Sequence, residues 1–180
     1  MSLSISADES IFLKTNKTDA ILVVDGMKLH VNKAILSYHS DYFNTLFNSE
    51  FKEKSMSEIE IKDVQFWEFA ALLSLVHGST VKPHYSYIEN ILELADRFLL
   101  PSVKPYLEGI LIISSVSRLD KLRIAEKYNF KDLMSNGIQE FTKEDDIHRL
   151  VIDMDYNKLA DSTKVRILTQ MLFQKSLVDK

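Results

Sequence analysis

The sequence predicts an α+β fold: a small, mostly antiparallel sheet capped by a helical cluster and followed by further helices. Three observations predict it. Strand-like runs are short and confined to the first third of the chain. Two of them flank an Asp25-Gly26 pair. Beyond Asp63 the apolar residues recur only at helical spacing.

Taken in order, residues 1–18 are mostly polar and form an N-terminal extension. Ala20-Ile21-Leu22-Val23-Val24 is a β-favouring run, apolar on both faces, so it belongs inside the sheet. Asp25-Gly26 suits a type I′ turn, whose two central positions need positive φ, and Met27 to Val31 returns as the second strand. Lys33 to Leu36 and Asp41 to Phe47 read as short helices broken near Ser40. Glu58 to Ile61 alternates as a third strand. Asp63 is the expected N-cap of an almost wholly apolar helix, Val64 to Val76, that Gly78 ends. Ser86-Tyr87-Ile88-Glu89 fits a capping box before a helix carrying Ile88, Ile91, Leu92, Ala95, Phe98 and Leu99 on one face. Pro101 closes that helix and opens the next, which runs to about Ile113. Three more helices are expected, one opened by Ser117 with Asp120 at N3, one over 131–141 and one over 163–175. Asp145-Asp146 and Asp153-Met154-Asp155 read as solvated faces and helix N-terminal charges.

Composition excludes several function classes. The 180 residues are 46% hydrophobic and 27% charged, which supports a folded core. A net charge of −4 argues against nucleic acid as the main partner. With no cysteine there is no disulfide, thiolate zinc site or cysteine nucleophile. The acidic N-terminus does not resemble a secretory signal, and no run approaches the ~20 apolar residues a membrane span needs. Phosphate-loop, HExxH and GxSxG patterns are missing, and His30, His39, His77, His84 and His148 lack metal-ligand spacing. The expectation is therefore no enzyme, no catalytic residue, no cofactor and no metal, with neither nucleic acid nor membrane as a partner.

One set of spaced motifs is specific. Asp19-x-x-Leu22-Val23-Val24-Asp25-Gly26 is followed by Val31-Asn32-Lys33-x-x-Leu36, then Ser40-x-Tyr42-Phe43-x-x-Leu46-Phe47, then Leu94-Ala95-Asp96-Arg97-Phe98. In this order they resemble the BTB/POZ family over about residues 18–113, and residues 16–107 are most similar to the BTB part of MATH-BTB proteins, with no MATH domain preceding. The resemblance implies a BTB/POZ domain at 19–113 and a helical C-terminal extension at 114–180, either a 3-box or a truncated BACK-like region.

The resemblance also implies sites and partners. Asp19 and Lys33 match the charged pair at the centre of the family's dimer. On residue type alone, Asp19 is equally a strand cap and Lys33 a solvated charge. Phe12 and Leu13 fall where relatives carry an N-terminal dimer element. Asn32 replaces the His common before the basic residue, and still serves as a helix cap. Phe51-Lys52-Glu53 matches the hydrophobic-x-Glu step by which many relatives recruit the cullin-3 scaffold of ubiquitin ligases, and Phe47, at the end of the preceding helix, is expected to join Phe51 and Glu53 in binding the cullin. An aromatic in a polar loop is either an interface anchor or a residue folded back onto its own domain. Val76-His77-Gly78 stands where many cullin binders have Tyr-Thr-Gly or Tyr-Ser-Gly, so a phenol is lost. The implied protein is a cytoplasmic or nuclear adaptor, a homodimer or a heterodimer with related BTB proteins, that brings an unidentified substrate to cullin-3. The alternative is a BTB dimerisation scaffold or regulatory partner with no cullin binding.

Overall fold

A computed structural model describes residues 12–48, 58–78, 83–142 and 145–176. The chain divides into two compact units, Met1–Leu107 and Glu108–Lys180.

In the first unit, β1 (Ala20–Val24) and β2 (Met27–Val31) form the expected hairpin. Asp25 and Gly26 take φ of 50° and 76°, the two positive values a type I′ turn requires. Strand β3 (Ile59–Glu60) pairs with the other edge of β1, giving the order β2-β1-β3 and placing the all-apolar strand in the middle. The β1–β3 pairing is parallel, with Leu22 opposite Ile59. The mostly antiparallel sheet thus carries one parallel edge, because the chain between β2 and β3 crosses over through helices instead of turning back. Those helices are α1 (Lys33–His39) and α2 (Asp41–Asn48), separated by extended backbone at Ser40.

Helix α3 (Phe66–Val76) is buried along most of its length, as its apolar composition requires. Its start corrects one expectation. Asp63 does not cap it: that residue sits at φ 57°, and the helix begins two residues after Val64. The carboxylate of Asp25, at the hairpin tip, instead accepts the Phe66 N–H at 3.2 Å. The Ser86–Glu89 capping box is also replaced. His84 Nδ1 accepts from Ser86 N at 3.3 Å and opens a 3₁₀ turn, Tyr85–Tyr87, which runs directly into α4 (Ile88–Arg97). Ser86 lies inside that turn and cannot act as a boundary residue. Past α4, Leu99 turns left-handed at φ 50°, and Leu100 N donates back to Ala95 O at 2.8 Å. A Pro101–Val103 3₁₀ turn then leads into α5 (Lys104–Ile113), within which the two units divide.

The second unit is helical throughout its described residues. Helix α6 (Arg118–Tyr128) opens as expected: Ser117 accepts the Asp120 N–H and donates to the Asp120 carboxylate at 2.8 Å. It packs against α7 (Lys131–Gln139) so closely that a Cβ on Gly137 would lie 2.9 Å from the Leu122 side chain. Two short helices that the sequence reading missed follow, α8 (Ile147–Ile152) and α9 (Met154–Lys158). Asp146 and Asp153 cap them, so the acidic pairs do act at helix N-termini. Helix α10 (Asp161–Ser176) closes the unit and buries Thr163, Ile167 and Met171.

Charge is buried here as well as apolar surface. The Lys121 ammonium, on a residue only 4% exposed, donates to Glu140 Oε1 at 2.7 Å and to the Ile112 carbonyl at 3.2 Å. The Arg118 guanidinium grips both oxygens of Asp145, at 2.9 and 2.5 Å, and lies 4.1 Å from the centre of the buried Phe141 ring. Burial pushes the Asp145 carboxyl up, but hydrogen bonds from Arg118 and Thr142 outweigh it and hold the carboxyl below the ordinary 3.8.

A carboxyl with a depressed folded pKa binds its proton more readily unfolded than folded. Its stabilisation is therefore complete above the ordinary value and is lost as pH falls through the lowered one. Denaturant titrations of parent and Asp145→Asn at pH 7 and at pH 3 should show the variant weaker at pH 7 and the gap narrowing at pH 3.

Candidate interaction surfaces

The residues that resembled a dimer centre do meet, though not as an ion pair. Asp19 Oδ1 accepts the Lys33 backbone N–H at 2.7 Å. Asn32 Oδ1 accepts the Ile35 N–H at 3.0 Å, so α1 is capped twice, once by its own Asn and once by the start of β1. The Asn32 amide also donates to Lys17 O at 2.7 Å, tying the segment before the hairpin to the same corner. The Lys33 ammonium turns instead toward the Phe47 ring, 5.7 Å from its centre. Within one chain Asp19 thus behaves as a backbone cap, one of the two readings its residue type allowed.

The other matched positions separate by exposure. Phe12 is buried at 4%, with its ring edge-on to His77 at 5.8 Å, while the adjacent Leu13 is 62% exposed. His77 is held in turn by its Nδ1, 2.9 Å from the Leu73 carbonyl. Val76, in the place of the phenol, is half-buried at the end of α3. Phe47 is 4% exposed and stacked on Phe43 with centroids 5.8 Å apart. Phe51 and Glu53 lie outside the described residues.

Two contacts with long reach were not singled out from sequence. Ser40, 2% exposed, donates its hydroxyl to the Phe98 carbonyl at 2.6 Å and accepts the Phe43 N–H at 3.0 Å. Arg97 donates to the carbonyls of Asp63 and Lys62 at 2.6 and 2.8 Å, pinning the end of α4 to the turn after β3. Both residues sit inside the matched motifs, and that was the available signal. Nothing in the local sequence says what either would touch.

Among the described residues no group of three or more His, Asp or Glu side chains could hold a metal ion. No helix among them is long and apolar enough to cross a membrane. The rings of His77 and His84 meet the backbone, and that of His39 meets the Ser102 hydroxyl at 3.3 Å.

Comparison with known proteins bears on this arrangement directly. The BTB/POZ domain profile matches residues 9–115. The chain belongs to the BTB/POZ family. BTB and MATH domain-containing protein 36 of Caenorhabditis elegans is 32% identical over 160 residues, covering 88% of this chain and 50% of that protein. BTB/POZ domain-containing protein Y57A10B.3 of the same organism is 30% identical over 166 residues, covering 91% and 52%. The chain thus spans about half the length of these curated relatives. The BTB domain of human gigaxonin is similar at 24% identity and a TM-score of 0.45, over 59% of this chain and 93% of that one. The BTB/POZ domain is a protein-interaction fold, and such domains generally dimerise.

The cap geometry separates Asp19 from Lys33 in a measurable way. Asp19→Ala should cost about 1 kcal/mol in denaturant-measured stability, the usual loss for a helix cap. Lys33→Met keeps the side-chain stem and the capped amide, and should cost less than half as much. Equal losses would mean that the two side chains act as a charge pair.

Proposed function

We propose that this BTB/POZ protein is a dimeric adaptor that binds the cullin-3 scaffold of a ubiquitin ligase through Phe51 and Glu53 and helps bring substrates to it. The observation that carries the reading is the anchoring of α2. Phe43 and Phe47 are both buried and stacked, so the last turn of the helix is fixed to the core four residues before Phe51. An interface residue on a short tether from a fixed element loses less entropy on binding than one on a free chain. Phe51 then supplies an aromatic anchor, and Glu53 beside it sets register against a basic surface.

Dimerisation joins two such sites. Phe12, Leu13, Asp19 and Lys33 belong to the dimer contact in this reading, with exposed Leu13 as the side chain free to meet a second protomer. The partner protomer is a second copy or a related BTB protein. The substrate is held either by residues 114–180 or by the related chain. The adaptor is no enzyme and works in the cytoplasm or nucleus. One observation favours the scaffold alternative: Val76 offers no hydroxyl where many cullin binders have Tyr.

Calorimetric titration of the full chain with the cullin-3 N-terminal domain separates the two. The adaptor reading expects binding that Phe51→Ala and Glu53→Lys each weaken by over about tenfold, the scale of a hot spot. A dimer that leaves the cullin domain unbound would make the protein a scaffold.

A further inference from the structure

We propose that the outward face of α10 is a self-association surface, on which a second copy of this chain lays its own α10 antiparallel about Thr169. The inward face of the helix buries Thr163, Ile167 and Met171 at four-residue spacing. The opposite face is apolar too. Val165, Leu172 and Phe173 are 61%, 62% and 56% exposed. At about 100° per residue they fall in one sector with Thr169 at its centre. Single exposed apolar residues are ordinary, but several on one helical face form a patch that water leaves readily.

Two hydroxyls in this sector are already satisfied. Thr169 Oγ1 donates to the Val165 carbonyl at 2.8 Å, and Ser176 Oγ donates to the Phe173 carbonyl at 2.8 Å. Covering the face leaves neither hydroxyl proton without an acceptor, which removes the usual cost of burying such groups.

Symmetry and charge select the occupant. Val165 and Phe173 lie four residues before and four after Thr169, so a two-fold axis at Thr169 brings each level with the other on the second copy. Asp161 and Lys175 project from the same flank of the helix, near its two ends. The same axis sets Asp161 of one copy within about one turn of Lys175 of the other, twice over. The Asp161 side chain is 98% exposed and makes a loose surface contact with Lys164, at 3.4 Å. Antiparallel helices also place opposite dipole ends together.

The cysteine-free sequence allows a clean test in the full chain. Helix axes 8–10 Å apart put facing Cα atoms roughly 4–6 Å apart, a span a disulfide bridges. Under mild oxidation, Thr169→Cys should form covalent dimers at least about tenfold faster than His148→Cys, an exposed position on α8, because pairing raises the local thiol concentration. Adding Leu172→Glu should remove that advantage. Adding Asp161→Lys should reduce it, and Lys175→Asp on top should restore it. Cross-linking at 169 no faster than at 148 would overturn the proposal and leave this face to a different partner, as would cross-linking indifferent to Leu172→Glu and the charge exchange.

Discussion

The first unit hangs on a single buried hydroxyl. Ser40 breaks the chain between α1 and α2, and its Oγ both accepts the Phe43 N–H and donates to the Phe98 carbonyl. One group thus satisfies an orphan donor at the start of α2 and an orphan acceptor at the end of α4. Phe43, Phe69 and Phe98 close around the junction, all almost fully buried, with Phe43 and Phe98 stacked at 5.8 Å. Helices α2, α3 and α4 therefore meet at one point, and the hairpin joins them through Asp25 at the start of α3. Moving Ser40 would shift Phe43 and then Phe47, in the last turn of α2.

The second unit is organised by different physics. Its helices are short, and partly buried ion pairs tie them: the buried Lys121 to Glu140, and Arg118 to Asp145. Such pairs offset much of their own desolvation and add little net stability, but removing one partner strands the other. They fix which helix faces which, while the close α6–α7 approach at Gly137 fixes how near. Apolar surface is left over on α10, whose outward sector exposes Val165, Leu172 and Phe173.

Much of the fold was legible because many of its signals are local. The Asp25-Gly26 turn, the Asn32 and Ser117 caps and the apolar β1 each declare themselves within a few residues. The misreadings came where a distant or unexpected group took a local role. Asp25 caps a helix 41 positions along the chain, so Asp63 was free to turn left-handed. A histidine ring displaced Ser86 as the capping acceptor. Helices α8 and α9 have six and five residues, too few for periodicity to show. The family resemblance placed Asp19 beside Lys33, but residue types could not tell a backbone cap from an ion pair. Lys121, spaced as a core position of α6, would have signalled a buried charge with an acidic partner.

Taken together, a buried aromatic cluster anchors the end of α2, and the proposed function assigns cullin binding to Phe51 and Glu53. Hydrogen exchange read by mass spectrometry, on the chain alone and with the cullin-3 N-terminal domain, tests this most directly. The account predicts that amides of β1, α2 and α4 exchange slowly and together in both states, and that the cullin adds protection over residues 48–57. Early opening of α2 apart from α4, or cullin-induced protection that bypasses residues 48–57, would contradict it.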